Sequence, residues 1–149
     1  MPKHKIMKVK NVVIASDHAG FELKEEIKRY LIKNRKKVLD LGTTNNNSVD
    51  YPDFAHLLSK KIKKNSSQFG VLICGSGIGM SIVANRHKNI RAALCNDIIS
   101  AKLSRKHNNA NVISLGSRII KKKVAINCVK SFLNTPFEGG RHLRRIKKI

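Results

Sequence analysis

No tryptophan occurs in the 149 residues, and aromatic residues make up only 5%. A single-strand nucleic-acid platform built on stacked rings therefore lacks its raw material. Acidic residues are scarce too: nine Asp and Glu stand against 31 Lys and Arg, a formal net charge of +22. The three cysteines, Cys74, Cys95 and Cys128, are odd in number and widely spaced. No C-x-x-C pair or Cys/His cluster is present, which argues against a disulfide framework and against structural zinc. Long apolar runs are missing: Val71-Leu72-Ile73-Cys74 is strand-sized, far short of the roughly 20 residues of a membrane span. The N-terminal MPKHKIMKVK is basic but has no apolar signal segment. A reducing cytoplasm is the expected location, with no membrane association.

Hydrophobic residues make up 41% and recur in periodic blocks, which excludes a disordered chain. At this length about 68–70% of the unfolded surface is buried on folding, so a single domain over residues 1–149 is expected. The first eight residues form a basic extension. The positive charge has two readings. A basic patch would bind nucleic acid, whereas abundant Lys, Asn and Ile reflect a compositional bias. Lysines spread over every predicted helix favour the second reading and make nucleic acid an unlikely partner. Excess positive charge also steers phosphorylated metabolites toward a protein.

Strand and helix patterns alternate along the chain. Strands are predicted at Val9–Ala15, Val38–Leu41, Phe69–Ile73, Ile90–Cys95 and Asn111–Leu115. Between the first two, Leu23, Ile27, Tyr30 and Leu31 share one face of a helix over Phe21–Arg35. Pro52 suits the first turn of the next helix, which carries Phe54, Leu58 and Ile62. Asp97 is placed to cap a helix running to about Lys106, and Ile119–Leu133 reads as the last long helix. This alternation predicts an α/β fold: a Rossmann-like three-layer sandwich, with a five-stranded parallel sheet and helices on both faces. The expected order is 2-1-3-4-5, with a ligand crevice between strands one and three at their carboxyl ends.

That crevice would bring together the two loops richest in chemistry. Gly75-Ser76-Gly77-Ile78-Gly79 is neither a Walker A nor a dinucleotide fingerprint, but three glycines in five residues let a backbone approach an anionic ligand. Asp97, after strand four, keeps a ribose-binding role open as a weaker idea. Cys74, at the start of this loop, lies beside a helix N-terminus that favours a thiolate, so it is a candidate base or nucleophile. Ser76 is placed to donate to an oxyanion. Cys95 and Cys128 read as inert core residues. Asp17-His18, on the first loop, is either a ligand-binding pair or a helix-capping turn. His107-Asn108 ends a helix just before strand five, on the opposite edge of the sheet from Cys74. If His107 acts in the same site, a second subunit must supply it; otherwise it is a surface histidine stabilised by a helix C-terminus. Arg118, after strand five, is at the ligand edge. Arg141 and Arg145 are four apart, a helical spacing suited to gripping phosphate, and arginine forks are not replaced by lysine.

Read together, Ser16–Lys24, Asp50-Tyr51-Pro52, Cys74–Ser81, His107-Asn108, Gly116–Arg118 and Glu138–His142 resemble, in order, the motifs of the ribose-5-phosphate isomerase B family. That family also includes galactose-6-phosphate and allose-6-phosphate isomerases. The resemblance implies an aldose–ketose isomerase of the pentose phosphate pathway, interconverting ribose 5-phosphate and ribulose 5-phosphate through an enediolate, with no metal and no cofactor. It implies Cys74 as the base, because Met80 and Ser81 are not acidic as in relatives that use a glutamate. It further implies Ser76 as enediolate stabiliser and His107 as the ring-opening residue. Asp17, His18, Tyr51, Gly75, Gly77, Ile78, Gly79, Asn108, Arg118, Arg141 and Arg145 fall at substrate positions. The partners implied are a small sugar phosphate and a second copy of the chain, in a homodimer with shared active sites or a tetramer. The basic tail, residues 134–149, would contribute to the site. A hexose-phosphate isomerase and a basic nucleic-acid-binding module are the competing functions.

Overall fold

The computed structural model describes residues 11–64 and 66–149, so the basic extension and the predicted strand residues Val9 and Lys10 lie outside the described residues. Among the described residues the strands are β1 (Asn11–Ser16), β2 (Lys37–Asp40), β3 (Phe69–Cys74), β4 (Ala92–Leu94) and β5 (Val112–Gly116). They alternate with α1 (Phe21–Lys33), α2 (Tyr51–Lys61), α3 (Ile78–Ala84), α4 (Ile98–Asn108) and α5 (Lys122–Asn134), and α6 (Arg141–Ile146) follows. All strand pairs are parallel. Leu23, Ile27 and Leu31 of α1 share one core with Ala101 of α4 and with Cys128 and Phe132 of α5. Ala55 and Leu58 of α2, with Met80 and Ala84 of α3, fill the core on the other face. The three-layer sandwich is as expected.

The strand order corrects the expectation: it is β2-β1-β3-β5-β4, not 2-1-3-4-5. Burial explains the exchange. Every residue of β5 is buried, and a strand covered on both faces belongs inside a parallel sheet. β4 is three residues long and partly exposed, which suits an edge. The Asn85 side chain covers that edge, donating to the Ala92 carbonyl at 3.0 Å and accepting from the Ala92 N–H at 2.8 Å. The consequence for function is direct. β5, not β4, lies beside β3, so Cys74 is in register with Gly116 and the Arg118 turn adjoins the glycine loop. That turn also delays α5 from Ile119 to Lys122, because Ile119 and Ile120 both donate to the Gly116 carbonyl.

A buried cation fixes the loop after β2. Lys24 is 1% exposed, and its Nζ lies 2.7 Å from Asp40 Oδ2 and 3.0 Å from Glu25 Oε1. Lys28 Nζ reaches the same Asp40 oxygen at 3.0 Å, and Asp40 Oδ1 accepts from the Gly42 N–H at 2.9 Å. The Gly42 carbonyl in turn accepts from the Ser16 N–H at 2.8 Å, and Thr43 donates to the Ser16 carbonyl at 2.9 Å. The network thus pins the segment immediately before Asp17-His18. Burial alone would raise the Asp40 pKa, but hydrogen bonds from Lys24, Gly42 and Lys28 outweigh it and hold the carboxyl below its ordinary value.

The corner between β3 and α3 rests on Gly77, whose φ is +77°. A Cβ there would stand 2.8 Å from the Leu115 carbonyl carbon and 2.7 Å from Leu94 Cδ1. Both backbone conformation and space therefore require glycine.

Three substitutions test this stability account. Lys24→Met is expected to cost about 2–3 kcal/mol by urea denaturation at pH 7, between the exposed and fully buried limits for a broken pair. Because the folded Asp40 pKa is lowered, the cost of Asp40→Asn should be complete above pH about 4, the unfolded value, and fade as pH falls through the folded one. A cost independent of pH would contradict the network. Gly77→Ala is expected to cost about 2 kcal/mol or more; a smaller loss would show that the corner relaxes.

Candidate active site

The carboxyl ends of β1, β3 and β5 converge on Cys74. Its Sγ accepts the Gly77 N–H at 3.1 Å, and its carbonyl accepts from the Ser117 N–H at 2.8 Å. An N–H aimed at sulfur stabilises negative charge there. Cys74 is 4% exposed, so only a molecule lodged directly against it can reach the thiol. Burial pushes the other two thiols up, to about 12 for Cys95 and about 11 for Cys128, in keeping with inert core roles.

Asp17 is buried and has a structural task. Its Oδ1 accepts the Gly20 N–H at 3.0 Å and its own N–H donates to the Ile73 carbonyl at 3.2 Å, tying the first loop to β3. The carboxylate thus closes the turn that leads into α1, whose N-cap is Gly20 and which has no side-chain cap bond. His18 Nδ1 accepts from the Val49 N–H at 3.2 Å, which leaves Nε2 as the ring's donor. Asp97 accepts from the Ser100 N–H at 2.7 Å and its hydroxyl at 3.1 Å, so it caps α4 and is committed there.

Within the glycine loop, Ser76 Oγ accepts from the Ile78 N–H at 3.2 Å, leaving its own O–H to donate. Gly79 faces the Tyr51 ring, where an added Cβ would fall 2.5 Å from two ring carbons. Part of the glycine content is thus a packing requirement between α2 and α3. Arg118 lies against Gly75, joined to it by a backbone bond of 2.9 Å, and its side chain is exposed. All nine acidic side chains belong to the described residues, and none lies within 4.0 Å of Arg118, Arg141 or Arg145. These guanidiniums have no internal carboxylate to compete with an anion. A hollow of about 730 Å³ beside Arg118 has a mixed lining, in which Glu22, Glu25 and Glu26 offset Arg29, Arg118 and Lys122.

His107 and Asn108 are the last residues of α4, at the amino-end edge of the sheet. They line a separate hollow of about 410 Å³ with His142 and Arg145. α6 provides the helical turn that carries Arg141 and Arg145. The His107 and His142 rings stack, with centroids 4.4 Å apart and planes at 15°. Packing of the His142 ring, with His107 and the Arg141 guanidinium close by, holds its pKa below the usual histidine value. His142 and Glu138, 3.5 Å apart, are functional candidates to which the sequence motifs assign no role. The signal was present in their i,i+4 spacing. Ligand atoms of His107, Glu138 and His142 lie within 4.8 Å of one another. An ion cannot lie in the planes of two parallel stacked rings at once, so this arrangement does not suit a shared metal.

One chain therefore brings together Asp17, His18, Tyr51, Cys74, the loop through Gly79 and Arg118. It places His107, Asn108 and Arg145 in the other hollow. With strands of five to six residues between the two edges, the separation is on the order of 15 Å.

The model of the ribose/galactose isomerase family matches residues 12–149. Ribose-5-phosphate isomerase B of Escherichia coli is 39% identical over 141 residues, covering 95% of each chain. The crystal structure of a ribose 5-phosphate isomerase from Thermotoga maritima is 52% identical with a TM-score of 0.90, over 93% of this chain and 95% of that one. Ribose-5-phosphate isomerase B from Mycoplasma genitalium, solved with bound ribulose-5-phosphate, is 46% identical with a TM-score of 0.89, over 93% and 92%. With residues 12–149 matched by the family model and nearly the whole length shared with these relatives, the chain belongs to the ribose/galactose isomerase family.

Proposed function

We propose that this protein interconverts ribose 5-phosphate and ribulose 5-phosphate, with the Cys74 thiolate as base. The observation that carries the reading is the buried Cys74 sulfur on the Gly77 N–H, beside the unpaired Arg118 guanidinium. The bound ribulose-5-phosphate in the Mycoplasma genitalium relative supports the substrate class.

The open-chain aldose carries an acidified hydrogen on C2. Cys74 removes that proton, the C2–H electron pair forms the C1–C2 double bond of an enediolate, and the carbonyl oxygen takes the negative charge. The thiol then returns the proton to C1 as the O2 proton passes to O1, giving the ketose. Ser76 O–H donates to the enediolate oxygen while its Oγ is held by Ile78 N–H. General base catalysis supplies about 10²–10⁴-fold and one oxyanion donor about 10²–10³-fold, so the two must act together. His18 Nε2–H and Arg118 bind the phosphate end.

His107, as ring-opening acid–base group, and Asn108, Arg141 and Arg145 come from the second copy of a homodimer. Two features support this. The Cys74 cluster and the His107 hollow lie at opposite edges of the sheet, so one chain alone would not close a site that uses both. Ile78 and Ile82 on α3 and Ile99 and Leu103 on α4 stand exposed, with Leu94 between them against Gly77, an apolar face suited to a self-complementary interface.

A hexose phosphate is the competing substrate, because the family's description covers galactose isomerases. Steady-state assays on ribose 5-phosphate, allose 6-phosphate and galactose 6-phosphate should show the highest kcat/KM for the pentose. Cys74→Ala should lower kcat at least 10³-fold with the fold intact by circular dichroism. Preference for a hexose would replace the substrate, and near-normal turnover by Cys74→Ala would remove the base.

A further inference from the structure

The isomerase reading leaves unused a hollow of about 740 Å³ at the amino-end edge of the sheet. Arg91, Arg105 and Lys88 line it, with Lys63 and Lys64. Arg105, on α4, is 3% exposed, and its guanidinium lies 4.7 Å from the Phe69 ring centroid and 5.8 Å from that of Phe132. Its Nε donates to the Thr135 carbonyl at 3.1 Å, and Nη1 donates to Asn109 Oδ1 at 2.9 Å and the Ala110 carbonyl at 2.5 Å. Arg91 is half-buried, and its Nε donates to the Asn109 carbonyl at 2.9 Å. Every one of these acceptors is neutral.

Two buried or half-buried cations thus share a cavity lined by no acidic side chain, with the C-terminal residue Ile149 at its wall and no carboxylate within 4.0 Å of either guanidinium. All nine acidic side chains are among the described residues, and none approaches either guanidinium within 4.0 Å. Arg105 Nη2 and both terminal nitrogens of Arg91 have no acceptor among the described residues. Burial and the proximity of Arg91 push the Arg105 pKa down to about 10. Placing two like charges together out of water is costly unless something of opposite sign joins them. Arginine forks present paired N–H groups that match phosphate oxygens.

We propose that this hollow is a binding site for a small oligophosphate, such as pyrophosphate or the phosphate chain of a nucleotide, held by Arg91 and Arg105 with Lys88 at the rim. A concave site of this volume suits a small molecule. A nucleic-acid surface would instead run as a basic groove with several rings for stacking, whereas Phe69 is buried in the core and Phe137 is the one partly exposed ring in the lining. The site is independent of the sugar-phosphate reading, because it uses none of the residues assigned there.

The test is calorimetric titration of the full chain with pyrophosphate at low salt, using Arg141→Ala/Arg145→Ala to weaken anion binding at the isomerase site. The double variant should still bind one pyrophosphate per chain. Adding Arg91→Gln or Lys88→Glu should weaken that binding at least tenfold, with the fold checked by circular dichroism. Lys88 is exposed, so its variant keeps the test decisive if Arg91→Gln fails to fold. Loss of all binding in the double variant, or unchanged affinity after Lys88→Glu, would overturn the proposal. A single-stranded oligonucleotide at equal phosphate concentration should not displace pyrophosphate; displacement would make this a nucleic-acid surface and also overturn it.

Discussion

The parallel register of β1, β3 and β5 is the constraint on which the site depends. It sets Ser16 opposite Ile73 and Cys74 opposite Gly116, so three loops leave one edge side by side. The loops then cross-link through main-chain bonds: Asp17 donates to Ile73, Ser117 to Cys74 and Arg118 to Gly75. A shift of one residue in β3 would turn Cys74 from the α2/α3 face toward the α1/α5 face. Nothing about the thiol's position is left to a flexible side chain. It is set by sheet register and by the left-handed turn at Gly77.

The same register keeps the second group of residues away. α4 must run back along the sheet before β5 begins, so its last residues, His107 and Asn108, emerge at the far edge. The tail reinforces that placement: the Glu138 N–H donates to the Lys106 carbonyl at 3.2 Å, and His142 stacks on His107. In the proposed reading the two clusters are half-sites that face different ways. Symmetric pairing is the economical route to uniting them, since each copy offers the half that the other lacks.

Much of this was legible in the sequence, and the limits are physical. Buried runs such as Val12–Ala15 and Val71–Cys74 mark central strands, and the 3.6-residue spacing of Leu23, Ile27 and Leu31 marks α1. The separation of His107 from Cys74 follows from chain order alone. The exchange of β4 and β5 was not legible: Ala92-Ala93-Leu94 and Val112-Ile113-Ser114 are similar apolar triplets. What distinguishes them is the Asn85 side chain and the exposure of β4, both products of tertiary packing. Lys24 is the opposite case, a cation next to Leu23 whose burial depends on Asp40, 16 residues away. The sequence leaves Asp17 ambiguous, because a turn-closing carboxylate and a binding carboxylate look alike until the Gly20 N–H is located. For His142 the sequence carries only the i,i+4 spacing to Glu138; its stacking on His107, 35 positions away, is a product of the fold.

The central claim is that Cys74 of one chain works with His107 of another. Neither Cys74→Ala nor His107→Ala homodimers should turn over substrate appreciably. Co-expression of the two should yield hybrid dimers in half of the population, each with one intact and one doubly defective site, so activity should return to about one quarter of the wild-type value per chain. Activity that stays at the level of the single variants, despite hybrid dimers demonstrated by mass spectrometry, would place both residues in sites made by one chain and contradict the account.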